Sequence, residues 1–210
     1  MAESRQALGV VFPVNMGNRG QNVFSVSKVF KELVSKSTEI EFVGYHRRIS
    51  GNFVFRYNAD REMQKAASVA EEVLGLECLA RSFVDLTHVE SSVPSVAEVV
   101  RGSVVVRTQK RVQRIIFVGL STDVPLEHQA RGVLTPKIEV ITWPSARDVL
   151  CLYDRPGVAG DVGQVIQAVV KGIPRPKTTS KLYGSGRAMS VVRDLLAGRY
   201  VSVVSGTTGS

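Results

Sequence analysis

The stretch EIEFVGYHRRISGNFVFRY, residues 39–57, decides the class of fold. Two runs rich in aromatic and β-branched residues, Glu39–Tyr45 and Asn52–Tyr57, flank the polar segment His46-Arg-Arg-Ile-Ser-Gly51. Its glycine suits a turn, so the reading is a hairpin of paired strands. On the N-terminal side, Phe24–Ser35 repeats apolar residues at spacings of three and four (Val26, Val29, Phe30, Leu33, Val34) behind Ser25 as a cap, which predicts an amphipathic helix. Leu8–Val14 before it is a β-branched run that stops at the glycine-bearing loop Asn15-Met-Gly-Asn-Arg-Gly-Gln21. On the C-terminal side, Met63, Ala66, Ala67, Val69, Ala70, Val73 and Leu74 form a helical stripe closed by Gly75, and Leu76–Leu86 is expected to return as a strand. The order is βαββαβ.

Thr87–Arg101, which contains Pro94, reads as a connection, and Val104–Arg107 as a short edge strand. Beyond it come a strand at Ile115–Leu120, a short helix at Leu126–Val133, strands at Ile138–Thr142 and Val149–Tyr153, and a helix at Val162–Val170. The βαββα order thus occurs twice, in a first half over residues 1–101 and a second over 102–200 that ends in a helix at Gly186–Ala197. Residues 201–210, rich in Gly, Ser and Thr, are expected to form a flexible tail, with fraying from Tyr200. The predicted class is α+β, with mainly antiparallel sheets and helices packed on one face of each.

A hydrophobic content of 44% over 210 residues is enough to bury a core and excludes wholesale disorder. No apolar run approaches the roughly 18 residues of a membrane span, and the first residues lack the pattern of a secretory signal. Cys78 and Cys151 stand alone, which fits a reducing compartment, and a cytoplasmic location is expected. The excess of 27 Lys and Arg over 19 Asp and Glu gives a net charge of +8 and favours anionic partners.

Three motifs carry a family resemblance. Phe12-Pro-Val-Asn-Met-Gly-Asn18 stands where the bacterial family known as "domain of unknown function 1697" has Arg-Gly-Ile-Asn-Val-Gly-Gly, and Ser50-Gly-Asn-Phe-Val-Phe55 resembles its Ser-Gly-Asn-Val-Val-Phe. Ile173-Pro through Thr178-Thr179 resembles its C-terminal Val-Pro-Ala-Thr-Thr, so the resemblance runs from about Leu8 to Leu196. It implies two ferredoxin-like βαββα(β) halves and no established reaction. The chain departs from the family at Phe12-Pro13, where the family has Arg-Gly. Gly157–Gly163 lacks the Gly-Arg-Ser-Lys run, and Ser180-Lys-Leu182 replaces Arg-Asn-Trp.

Candidate contacts fall into two sets. Asn15, Gly17 and Arg19, between a strand and a helix, together with Ser50 and Asn52, offer backbone N–H groups, a hydroxyl and amides to an anion or small ligand. Arg47 and Arg48, the run Arg107, Lys110, Arg111 and Arg114, and the segment holding Lys177, Lys181 and Arg187 are cations suited to nucleic-acid phosphates. His46, His88 and His128 have neither a metal-ligand spacing nor a nucleophile–base–orienter arrangement, so no metal, cofactor or catalytic set is expected. The expected function is therefore a non-enzymatic binding protein for RNA or another polyanion. The alternatives are a small-molecule binder or enzyme with a cleft between the halves, and a structural protein, such as a viral assembly component, that forms homo-oligomers through edge strands.

Overall fold

A computed structural model describes residues 6–13, 25–47, 51–92, 112–120, 123–155, 162–171, 183–184 and 186–203. The fold is α+β, with two antiparallel sheets and several helices. The chain divides into two compact units, Met1–Leu86 together with Val191–Ser210, and Thr87–Ser190. Arg101, the expected boundary, lies outside the described residues.

The first unit begins with strand β1 (Ala7–Pro13), helix α1 (Val26–Lys36), strands β2 (Glu41–Tyr45) and β3 (Phe53–Tyr57), helix α2 (Arg61–Leu74) and strand β4 (Cys78–Ser82). Ser25 occupies the N-cap position of α1, but its hydroxyl meets that of Ser27 at 3.0 Å and caps no backbone N–H. Gly75 ends α2 in the left-handed conformation, φ 63°, with its N–H donating to the Glu71 carbonyl at 2.8 Å. This is the αL stop that the sequence announces. β2 and β3 pair antiparallel from Glu41↔Arg56 to Tyr45↔Phe53, with a slip between Phe42 and Gly44.

The strand expected over Leu76–Leu86 is shorter. It ends at Ser82, and helix α3 (Phe83–Ser92) starts at once. The Asp85 N–H donates to the Ser82 hydroxyl at 3.0 Å, and the Ser82 N–H donates to the Asp85 carboxylate at 3.4 Å. That reciprocal cap favours helical over extended backbone.

The second unit holds β5 (Val112–Gly119), α4 (Leu126–Gln129), β6 (Val133–Thr135), β7 (Ile138–Ser145), β8 (Asp148–Arg155), α5 (Val162–Val170) and β9 (Tyr183–Gly184). Helix α6 (Gly186–Leu196) and strand β10 (Val201–Ser202) follow. Val133 belongs to a strand rather than to the short helix expected over Leu126–Val133. β7 runs on through Trp143 and Pro144, with register shifts after Val140 and Thr142 that pass over the proline's missing N–H. The fraying expected from Tyr200 gives way at Val201 and Ser202, which pair with Tyr45 and Gly44.

Among the described residues the first sheet has the order β10-β2-β3-β1-β4 and the second β6-β7-β8-β5-β9. Setting aside β10 and β6, the remaining four strands of each sheet follow one plan. A hairpin's two strands come first, the unit's opening strand lies beside the second of them, and a late strand closes the far side of the opening strand.

One face of the first sheet shares a core with α1 and α2, built on Val11, Phe53 and Phe55 against Phe30, Leu33, Ala66 and Ala70. Strand alternation puts Val10, Phe12, Val54 and Leu79 on the other face, where they are also buried. Burial of both faces is why these strands read as continuous apolar runs instead of alternating ones. Phe53 and Phe55 are fully buried, each worth about 1.5–3 kcal/mol relative to exposure. In the second sheet Val118, Val149, Cys151 and Tyr153 pack with Val165 and Val169 of α5, and Leu150 and Leu152, on the opposite face, are buried as well.

Candidate functional site

Of the first candidate set the structure describes Asn52. Asn15, Gly17, Arg19 and Ser50 lie outside the described residues, as do Arg48, Arg107, Lys110, Arg111, Lys177 and Lys181 of the second. Asn52 is fully buried at the foot of the β2–β3 turn, where its carbonyl accepts the His46 N–H at 2.9 Å. Gly51 turns the chain there with φ 59°, and Arg47 beside the buried histidine is exposed. An exposed guanidinium thus adjoins a buried polar pair in sequence.

That pair connects to the C-terminal segment. His46 is 4% exposed, and its Nε2 lies 3.0 Å from Asp194 Oδ2 on α6. A carboxylate only accepts, so Nε2 carries the proton in this pair. The other oxygen, Oδ1, accepts from Arg199 Nε at 2.9 Å. Hydrogen bonds from His46 and then Arg199 hold the Asp194 carboxyl below its ordinary value. The arrangement keeps Asp194 ionised and ties the turn to α6.

In the second unit Arg114 lies on β5 opposite Tyr153 of β8, and Val112 stands opposite Arg155. Ile116, two residues along from Arg114, pairs with Gly184 of β9, three residues before Arg187 at the start of α6. The register thus brings positions 114 and 155, far apart in sequence, to one end of this sheet. Asp154, opposite Gln113, is the acidic position among them. Arg155 was missed in the sequence because it stands alone after an apolar strand. Only the register with β5 links it to the basic run.

Both cysteines are buried, and burial pushes each thiol up to about 12, with Glu71 and Glu77 adding to the effect at Cys78. A thiol held that far above neutrality is not a nucleophile at physiological pH. Among the described residues no cluster of His, Cys, Asp and Glu is placed to hold a metal, and no helix is long and apolar enough to cross a membrane. A cavity of about 30 Å³ between β6 and β7, lined by Val133, Lys137 and Leu152 among others, has room for a water or two and no more.

No family model, curated protein or solved structure matches this chain. The functional reading therefore rests on the placement of its own residues.

Proposed function

We propose that this is a non-enzymatic binding protein that engages an anionic polymer, RNA foremost, with two ferredoxin-like halves as its scaffold. The common order of four strands in each sheet, β2-β3-β1-β4 and β7-β8-β5-β9, supports the scaffold reading. It also agrees with the resemblance to the "domain of unknown function 1697" family. The observation that supports the function is the placement of positions 114 and 155 near one end of the second sheet, with Arg114 following Arg107, Lys110 and Arg111 in sequence. Cationic positions on neighbouring strands suit a string of phosphates, whose affinity comes from displaced counterions. Exposed Arg47 and the net charge of +8 add to the attraction.

The test is retention of single-stranded RNA over a salt series, for the natural protein and for a variant carrying Arg114→Ala, Arg155→Ala and Arg187→Ala. Binding at about 50 mM salt that weakens steeply by about 200 mM is expected. In the triple variant the slope of log affinity against log salt should fall by about 2, at roughly 0.7 per lost phosphate contact. Absence of RNA binding at low salt, or an unchanged slope in a variant whose circular dichroism is native, would refute the proposal.

A further inference from the structure

Among the described residues, β10 closes the outer edge of the first sheet with little backbone pairing. β10 contributes Val201↔Tyr45 and Ser202↔Gly44, and the Val203 N–H donates to the Val43 carbonyl at 2.9 Å. Two features suit β2 to this partner. The bulge between Phe42 and Gly44 takes Val43 out of register with β3. Gly44 also leaves room, since a Cβ there would lie 2.4 Å from the Val201 carbonyl oxygen and 2.8 Å from the Tyr200 ring. The chain reaches this edge from α6 through Gly198, whose φ of 70° reverses its direction, with the Gly198 N–H bonded to the Leu195 carbonyl at 3.0 Å. Across that reversal Asp194 holds both sides at once, His46 at the end of β2 through Oδ2 and Arg199 through Oδ1.

We infer that β10 is a detachable strap over the edge of β2 and that Asp194 is its latch, clasping His46 just beyond β2 and Arg199 just before β10. A two-residue strand is too short to stay in place through its ladder alone, so the side-chain clasp sets how often the strap lifts. When it lifts, the backbone of β2 becomes an open edge. Opening is local. The core on α1 and α2 lies on one face of the sheet and does not depend on the strap.

The inference does not rest on RNA binding, and its test reads amide hydrogen exchange in the full-length protein for two variants. Asp194→Ala removes the clasp, and Gly44→Ala puts a methyl group where the strap's backbone lies. In each, exchange at Val203 and along β2 should rise at least tenfold, while Val54 and Phe55 in β3 keep their natural rates. The inference is overturned if exchange at Val203 is unchanged in Asp194→Ala, whatever Gly44→Ala does, or if it rises only in step with Val54.

Discussion

Gly9 and Phe55 face each other across β1 and β3, and a Cβ on Gly9 would come within 2.5 Å of the Phe55 ring tip. The ring lies over the bare glycine backbone and from there reaches Phe42 and Tyr57 at centroid distances of 6.1 and 6.0 Å. Each such aromatic pair contributes about 0.5–1.5 kcal/mol beyond its buried area. The thiols make a different statement at this scale. Their ordinary value of 9.0 rises to about 12 in the folded chain, chiefly through burial, so the folded state keeps protons that the unfolded state releases. This contribution is complete below about pH 9 and is lost as pH climbs toward 12. Denaturant titrations across that range should therefore show stability falling with pH, and Cys151→Ala should make the fall shallower. An identical pH slope in the variant would contradict the assignment.

Among the elements, α2 was legible to its last residue, because a stripe of small apolar side chains and a terminal glycine leave one solution. A Cβ at Gly75 would meet nothing within 4 Å, so Gly75→Ala isolates the backbone term at φ 63°. The expected loss is about 1 kcal/mol, a melting temperature lower by about 2–4 °C for a chain of this size. No change in melting would mean that the helix ends in another conformation. The β4–α3 junction was not legible in the same way. Cys78 to Leu86 contains few breakers, and hydrophobicity alone cannot tell a strand from a short helix there. The signal was Ser82 followed three residues later by Asp85, a capping pair that an apolar reading passes over. β7 failed similarly, since Pro144 argues against a strand unless a register shift carries the ladder past it.

At the scale of the whole molecule the succession of strands and helices could be read, but the sheet order could not, because pairing between distant strands leaves no local pattern. The site followed the same rule. Arg47, Asn52, Arg114 and Arg187 drew notice as charged or turn residues, whereas Asp194 and Arg155 acquired meaning only from what lies beside them in space. The compact units are likewise non-local, with Met1–Leu86 completed by Val191–Ser210, in which Val191 and Leu195 are buried. Native-state hydrogen exchange in rising denaturant should show the Leu195 amide opening together with that of Val54. Opening of Leu195 in step with Val165 instead would assign α6 to the other unit.

The position of Thr87–Ser190 in the sequence, between the two segments of the first unit, matters while the protein is being made. The ribosome must translate all of Thr87–Ser190 before the segment that closes β2 can emerge, roughly 5–20 s at typical elongation rates. Throughout that interval the nascent sheet carries an unfinished edge, and on a polysome its nearest neighbours carry the same one.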